Sequence, residues 1–476
     1  MNPEQIRRVA ELIAKQIVAE TPQRAPAAPA VSSGVGDGVF STIDEAAKAA
    51  REAFFAMDRI TLEQRITIIE ALRQTLRPQA EPLARQAIEE TELGRLDHKI
   101  QKNLLVTNKT PGPEELVPTA RSGDKGLVLI EPAPYGVIGA ITPCTNPTST
   151  IICNALGMLS AGNTAVFNVH PTAKNVSMTT VQLLNRTIVA AGGPPNTLTC
   201  IAEPTIKSAG ELMHHPLVRL LVVTGGGGVV KAAMNSGKRA ICAGPGNPPA
   251  VVDPTANIEH AGRDIVFGHS FDNNVICVDE KEVIVVDSCA DALISAMTRA
   301  GAFLINPGDL HRLEKAIFTK GAGPKGHATV NRDYVGKNAS VILKDLGISA
   351  GPEVMCILAE VPNDHPLVWT EQMMPVLPIT RVRNVHEAID LAIECEGHNF
   401  HTASMHSHDL AALSKMARRC NCSIFIKNGP CVAGLGHNGE GYSSFTIASP
   451  TGEGLTSPLS FSRWRRCTMV DHFRIV

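Results

Sequence analysis

The chain has 476 residues, 44% of them hydrophobic and 19% charged, and its formal net charge is −2. This length predicts two or three domains whose cores need no metal or disulfide, and the near-neutral charge and 4% aromatic content argue against nucleic-acid binding. The 12 scattered cysteines have no disulfide or zinc spacing, so we expect free thiols in a cytoplasmic protein without a secretory signal, membrane span or metal site.

Residues 1–20 predict a short amphipathic helix. Its apolar side chains recur at spacings of three and four, which places them on one face: Ile6, Val9, Ile13 and Ile17. Residues 21–38 are rich in Pro, Ala, Ser and Gly, which is typical of a flexible linker. A helix tethered in this way can bury its apolar face on a partner protein or on its own domain, and the residues favour neither.

From Phe40 onward the pattern is that of a globular α/β protein. Helical periodicity covers 42–57 and 61–91, and a β-rich stretch covers 126–142. Helices are then predicted at 147–161, 173–191, 206–214 and 228–236, with strands at 164–168, 197–201 and 219–223. This alternation predicts a parallel sheet covered by helices on both faces. Further strands are predicted at 249–252, 281–286, 355–360 and 376–381, and an edge strand at 465–476.

Three segments contain candidate functional residues. Cys277 ends a polar loop before a predicted strand, where substrate could reach a thiol, although a buried and inert thiol is the usual alternative for any single cysteine. Asn146 precedes Pro147 at the start of a predicted helix, where its amide could donate to an oxyanion or simply cap the helix. The sequence LLVVTGGGGVVKAA at 220–233 runs from a strand through glycines into a helix, which favours nucleotide phosphate binding and a bare tight turn equally.

The order of these segments, together with AGNTAVF at 161–167 and TEQMMPVLPI at 370–379, resembles the aldehyde dehydrogenase family. The likeness covers residues 40–476 and is strongest to the branch that acylates coenzyme A (CoA), namely the propionaldehyde and acetaldehyde dehydrogenases of bacterial microcompartments. It implies an α/β fold with a Rossmann-type NAD-binding domain, an α/β catalytic domain and a small β oligomerisation element. The expected bounds are 39–125 and 134–249 for the first, 250–440 for the second, and 126–133 and 456–476 for the third.

The resemblance also implies roles for individual residues. Cys277 matches the nucleophile, and Asn146 matches the side-chain donor of the oxyanion hole, beside the backbone N–H of Cys277. The cofactor-binding positions are expected at Thr142 and Pro143 near the nicotinamide ribose, at Thr224, Gly225 and Gly226 beside the phosphates, and at Glu371 on the ribose. His170 and Pro171 match the pocket that accepts the adenine ends of NAD and CoA. The roles of four further residues stay open: Cys144, for which packing is favoured, His269, which we do not expect to act as a base for Cys277, His398 and His401.

One departure from the hydrolytic branch bears on the reaction. Hydrolytic relatives carry Glu-Leu-Gly-Gly, whose Glu activates water, whereas this chain reads CAGPGNPPAVV at 242–252, with Ala243 near the position of the acid. Water without a general base is a poor acyl acceptor, while the thiolate of CoA is already a strong nucleophile. The sequence therefore predicts a CoA-acylating dehydrogenase of short aldehydes, propionaldehyde first, that uses NAD, with NADP not excluded.

Three alternatives remain at this stage: a hydrolytic NAD(P)-dependent aldehyde dehydrogenase, a non-catalytic microcompartment cargo protein, and a related enzyme acting on a phosphorylated acyl group. The resemblance favours a partner for residues 1–20, as an encapsulation peptide that docks on a microcompartment shell or cargo protein. It further implies a homo-oligomer, dimer or tetramer, located in the cytoplasm inside a bacterial microcompartment.

Overall fold

The structure, a computed structural model, describes residues 36–475, which belong to one compact unit. The predicted helix at residues 1–20 and nearly all of the predicted linker at 21–38 lie outside the described residues. Within residues 36–475, no helix is both long and apolar enough to cross a membrane.

Fourteen α-helices occur in the described part of the chain. In order they are α1 (Ile43–Met57), α2 (Leu62–Thr91), α3 (Leu96–Lys109), α4 (Pro147–Ser160), α5 (Lys174–Ala190), α6 (Ile206–His214), α7 (Gly227–Met234), α8 (Ile258–Ser270), α9 (Asp287–Arg299), α10 (Pro307–Ile317), α11 (Ala339–Asp345), α12 (Pro366–Trp369), α13 (Val385–Cys395) and α14 (Leu410–Cys420).

The strands of the described residues are β1 (Val39–Phe40), β2 (Thr119–Gly123), β3 (Gly126–Pro134), β4 (Val137–Ile141), β5 (Thr164–Asn168), β6 (Leu198–Ile201), β7 (Val218–Thr224), β8 (Ala240–Ala243), β9 (Pro249–Val252), β10 (Glu282–Val286), β11 (Ala302–Leu304), β12 (Phe318–Lys320), β13 (Thr329–Val330), β14 (Cys356–Glu360), β15 (Val376–Val382), β16 (Thr402–His406), β17 (Ile424–Lys427), β18 (Ile447–Ala448), β19 (Gly454–Leu455) and β20 (Ser462–Val470).

The first sheet is parallel and has the strand order β1-β6-β5-β4-β7-β8. Its central strands are short apolar runs, buried throughout in β4, β5 and β6, because helices cover both faces of the sheet. The chain order reverses between β4 and β7, where successive strands are added on opposite sides. In open α/β sheets this reversal marks the crevice in which nucleotides bind.

The second sheet is also parallel, with the order β11-β14-β15-β10-β9-β16-β17. Only residues 244–248 separate the end of β8 in the first sheet from the start of β9 in the second. This short connection brings the carboxyl edge of the first sheet next to the amino edge of the second.

A third, antiparallel sheet has the order β2-β3-β20. The edge strand predicted at 465–476 therefore exists, but it begins at Ser462 and ends at Val470, because its pairing with β3 runs from Pro134 to Gly126. Several large apolar side chains of β20 are exposed, namely Trp464, Met469 and Val470.

Helix α3 was not predicted from the sequence. Its buried face contains His98, Lys99, Lys102 and Asn103 beside Val106, so the apolar periodicity that reveals other helices is missing. The sequence pattern failed here because the helix buries polar groups against other polar groups.

A pair of glycine substitutions tests the packing of the second sheet's helices. A Cβ on Gly262 in α8 would lie 2.7 Å from the Cβ of Ala296 in α9, whereas a Cβ on Gly210 in α6 would meet nothing within 4 Å. We expect Gly262→Ala to lower the free energy of unfolding by about 1–3 kcal/mol through overpacking, and Gly210→Ala to raise it by about 0.5–1 kcal/mol. Chemical denaturation measures both, and equal stability of the two variants would contradict the close approach of α8 and α9.

Candidate active site

The predicted cofactor residues lie at the carboxyl edge of the first sheet. Strands β5, β4 and β7 are neighbours, and Ile141 at the end of β4 pairs with Asn168 on one side and Val223 on the other. The residues that follow these three strands therefore come to one edge: Thr142, Pro143, His170, Pro171, Thr224, Gly225 and Gly226. The edge coincides with the reversal of strand order, which is the expected position for a nucleotide.

The turn between β7 and α7 leaves room for a phosphate. Gly226 is the N-cap of α7, and Cβ atoms placed on Gly226, Gly227 or Gly228 would meet nothing within 4 Å. The hydroxyl of Thr142 is buried and has no hydrogen-bond partner within residues 36–475. Open glycines at a helix N-terminus and an unpaired hydroxyl fit a bound dinucleotide.

His170 performs a local task as well. It is the N-cap of the short helix Pro171–Ala173, where its Nδ1 accepts from the N–H of Thr172 at 3.3 Å and lies 2.8 Å from that residue's Oγ1. Burial of the ring, followed by the charge of Arg332, lowers the pKa of His170. The His170 ring therefore has a hydrogen-bond partner within its own loop, and its contact with adenine stays a prediction.

Cys277 lies at the amino edge of the second sheet, just before β10. The neighbours of β10 are β9 and β15, and the segments that precede these strands contain Gly246 and Glu371. A Cβ on Gly246 would lie 2.7 Å from the backbone oxygen of Cys277 and 3.0 Å from the ring of His401, which precedes β16. The residues 242–252 that replace the hydrolytic Glu motif therefore do reach Cys277, and they contain no carboxylate.

Cys277 keeps some accessible surface, and its surroundings favour the protonated thiol. Every other residue of 271–280 is buried, while Cys277 keeps accessible surface. Burial of the sulfur and then the charge of Glu371 raise the pKa of Cys277 to about 12, and Lys281 opposes them. Bound ligands or a general base must therefore favour the thiolate before it can attack.

Glu371 is the acid with the largest effect on this thiol. Burial raises the pKa of Glu371, whereas the charge of Lys281 and a hydrogen bond from the N–H of Gly246 lower it. Glu371 is thus close enough to Cys277 for its charge to raise the thiol pKa, and its contact with a ribose stays a prediction.

The loop before Cys277 has an unusual backbone. Asp272, Asn273 and Asn274 have φ angles of 49°, 56° and 65°, so three consecutive residues are left-handed. Two of their side chains hold this shape: Asn273 donates to Gly336 O at 2.9 Å, and Asn274 donates to Glu280 O at 3.0 Å. These hydrogen bonds stabilise a backbone conformation that non-glycine residues rarely adopt.

Asp272 is held most strongly. Its carboxylate accepts from Lys99 Nζ at 3.0 Å, from Lys102 Nζ and from the N–H of Arg95 at 2.7 Å, and both lysines are buried. Burial alone would raise the pKa of Asp272, but the charges of Lys102 and Lys99 hold it below its ordinary value.

Asn146 connects to the same cluster. It is the N-cap residue of α4, but its side chain makes no capping hydrogen bond, so the capping alternative is wrong. Instead its Oδ1 accepts from Lys102 Nζ at 2.5 Å, and its Nδ2 donates to Thr145 Oγ1 at 3.1 Å. Within residues 36–475, no backbone hydrogen bond joins the N–H of Cys277 to another residue, and this N–H lies against the residue's own sulfur.

The remaining candidates have mainly structural contacts. His269 is buried with its Nδ1 2.6 Å from Glu280 O, and burial lowers its pKa to about 3, so it is not paired with Cys277. His401 lies beside Gly246 with its Nδ1 2.8 Å from Thr402 Oγ1, while His398 is exposed. Cys144 packs against a small apolar cluster, as expected.

No sequence pattern indicated a role for Lys99, Lys102 or Asp272. Lysines three residues apart on a helix normally indicate a solvated face, and an Asp in a polar loop is normally exposed. Only the tertiary structure reveals that the three charges face one another.

A parallel α/β fold with a nucleotide-type sheet edge next to a reachable thiol is typical of nucleotide-dependent enzymes that react through cysteine. The sequence model of the aldehyde dehydrogenase family matches residues 14–453. This chain belongs to the aldehyde dehydrogenase family.

Three relatives illustrate the similarity. The acetaldehyde dehydrogenase (acetylating) EutE of Salmonella typhimurium is 47% identical over 92% of this chain and 94% of its own length. A structure of Rhodopseudomonas palustris propionaldehyde dehydrogenase, with bound CoA and an acylated cysteine, has 49% identity and a TM-score of 0.90 over 93% of this chain and 100% of that one. Propionaldehyde dehydrogenase from the Clostridium phytofermentans fucose utilisation bacterial microcompartment has 44% identity and a TM-score of 0.89, with 93% and 100% covered.

The electrostatic environment of Cys277 can be tested by alkylation. Because its pKa is about 12, we expect the rate of reaction with iodoacetamide to rise roughly tenfold per pH unit between pH 7 and 9. Glu371→Gln removes a negative charge beside the sulfur, lowers the thiol pKa and should speed alkylation roughly two- to tenfold. Peptide mass spectrometry separates Cys277 from the exposed Cys467.

The matched control is Glu52→Gln on the exposed face of α1, which should alkylate like the unmodified chain. An unchanged rate in Glu371→Gln would show that this carboxylate does not reach the thiol.

Proposed function

We propose that this chain is a CoA-acylating aldehyde dehydrogenase, which converts a short-chain aldehyde, NAD and CoA to acyl-CoA and NADH through a thioester on Cys277. One observation carries the proposal: the reachable thiol lies where two sheet edges meet, against a segment that contains no carboxylate. The relatives named above support the same activity.

The first half-reaction acylates the enzyme. The Cys277 thiolate uses an electron pair to form a bond to the carbonyl carbon, and the carbonyl π pair moves to oxygen. The Asn146 amide and the backbone N–H of Cys277 donate to that oxygen, an arrangement in which one donor contributes about 3–4 kcal/mol to the transition state. NAD, when bound, supplies the acceptor for the hydride.

Residues of the first sheet's edge would hold the dinucleotide. We assign the phosphates to the turn Thr224–Gly226 and the nicotinamide end to Thr142, Pro143 and Glu371. His170 and Pro171 are assigned to the adenine ends of NAD and CoA. NADP stays open, because no acidic side chain follows the glycine turn at the distance at which an NAD ribose is usually bound.

The second half-reaction transfers the acyl group to CoA. The sulfur of CoA forms a bond to the thioester carbon, and Cys277 leaves as thiolate. Residues 242–252 offer no general base for water, and Gly246 admits no side chain beside Cys277. Of the acids that affect the Cys277 thiol, Glu371 has the larger effect and is the candidate to assist hydrolysis.

The finer assignments concern chain length, assembly and location. We favour propionaldehyde, with acetaldehyde next, in line with the relatives. We propose that residues 126–133 and 456–476 form the contact of a homo-oligomer, dimer or tetramer, because the apolar side chains of β20 are exposed in the single chain. We assign residues 39–125 and 134–249 to the NAD-binding domain. Residues 250–440 are assigned to the catalytic domain.

We further propose that residues 1–20 form a helix that docks on a microcompartment shell or cargo protein, which would place the enzyme inside a bacterial microcompartment in the cytoplasm. Containment would limit the escape of a reactive aldehyde.

Steady-state assays of propionaldehyde, acetaldehyde and butyraldehyde test the reaction. We expect NADH formation to require CoA beyond the first turnover, with acyl-CoA as the product, and Cys277→Ala to retain at most a few per cent of the rate. Cys467→Ser is the control that should keep the full rate, because this exposed thiol lies on β20 of the third sheet, outside the two sheets that form the site. Carboxylate formed at full rate without CoA would indicate the hydrolytic enzyme, and activity in Cys277→Ala would refute the mechanism.

The proposed docking helix is tested with purified shells. Ile6→Glu with Ile13→Glu should abolish co-sedimentation of the enzyme with shell proteins but leave kcat in solution unchanged. Arg7→Gln with Lys15→Gln, on the other face of the predicted helix, is the matched control and should still bind. Binding by both variants would contradict the apolar face as the docking surface.

A further inference from the structure

Lys102 is among the largest fully buried side chains of the described residues, yet the reaction outlined above gives it no role. An ammonium removed from water is tolerated only when it is paired and hydrogen-bonded. Lys102 satisfies this condition with two partners, the carboxylate of Asp272 and the Oδ1 of Asn146 at 2.5 Å. One partner belongs to the Cys277 loop, and the other is the proposed oxyanion donor.

Asp272 has two hydrogen-bond donors besides Lys102. Lys99 already pairs with its Oδ2 at 3.0 Å, and the N–H of Arg95 donates to its Oδ1 at 2.7 Å. Two buried ammonium groups therefore face one carboxylate, and of the two lysines only Lys102 also contacts the Asn146 side chain.

The contact with Lys102 decides which way the Asn146 amide faces. An Asn side chain can present either its oxygen or its nitrogen, and a neighbouring ammonium, which only donates hydrogen bonds, can pair only with the oxygen. Asn146 Oδ1 accepts from Lys102, and Asn146 Nδ2 donates one hydrogen to Thr145 Oγ1 at 3.1 Å. The second hydrogen of Nδ2 therefore remains for a ligand.

We propose that Lys102 is the positioning residue of the oxyanion hole: its ammonium fixes the Asn146 amide with Nδ2 free to donate, and it ties this donor through Asp272 to the loop that carries Cys277. This inference rests on the proposed function of Cys277 and Asn146. As the thiolate adds to the carbonyl and negative charge appears on oxygen, Lys102 polarises the amide that binds it and transfers no proton.

The experiment is a double-mutant cycle on the full chain, read as the pre-steady-state burst of NADH with propionaldehyde at saturating NAD. We expect Lys102→Met to lower the burst rate 10- to 100-fold with less than a threefold change in the KM for NAD. Asn146→Ala should lower it about 10²- to 10³-fold. The double variant should be within threefold of Asn146→Ala, since Lys102 acts through an amide that is then absent.

Lys99→Met is the matched control. It removes a lysine that pairs with the same Asp272 oxygen but touches Thr145 O rather than the Asn146 side chain. Its effect on the burst should multiply with that of Asn146→Ala. A multiplicative effect of Lys102→Met, or a burst within twofold of the unmodified enzyme, would overturn the proposal.

If Lys102→Met does not fold, Lys102→Gln takes its place, because its amide keeps a donor without the charge, and the same cycle decides. Failure of the proposed function gives a different result, since Cys277→Ala would then still produce NADH. If a Lys102 variant loses the burst while Cys277 is alkylated at the normal rate, the defect lies in the oxyanion hole and not in the thiol.

Discussion

The carboxylate of Asp272 has no access to solvent, and a buried charge is tolerated only where opposite charge meets it. Its partners come from α3, so a helix that contains no proposed reacting group fixes the loop that presents Cys277. The three left-handed residues 272–274 could not persist without such contacts. The position of the thiol thus depends on an interaction several residues away from it.

The second constraint is the short passage from β8 to β9. Parallel strands direct all their carboxyl ends to one edge, and residues 244–248 bring that edge of the first sheet to the amino edge of the second. The nucleotide side and the thiol side of the site therefore come from different sheets. Gly246 lies in this passage and touches Cys277 O, so the same residues that join the sheets also exclude a side chain from the thiol's surroundings.

Prediction from the sequence succeeded where burial is apolar. The strands at 164–168 and 249–252 have the predicted bounds, because short apolar runs between turns have few other solutions in a parallel sheet. Prediction failed for helix α3 and for the burial of the Cys277 loop, where Asp279, Glu280 and Lys281 are all buried. Composition assigns charged residues to the surface, and only mutual pairing keeps them inside.

The sequence by itself determined the kind of chemistry through the order of four patterns, which resembles the aldehyde dehydrogenase family: a cysteine before a strand, an Asn-Pro before a helix, a glycine turn after a strand, and a stretch without the hydrolytic acid. These are local patterns, and each is complete within a few residues. Only the tertiary structure decided that the Asn146 side chain does not cap its helix, that Glu371 raises the pKa of Cys277, and that Lys102 donates to the Asn146 amide oxygen. Electrostatic effects of this kind depend on distance in space and on exclusion of water, and neither is encoded in the spacing of residues along the chain.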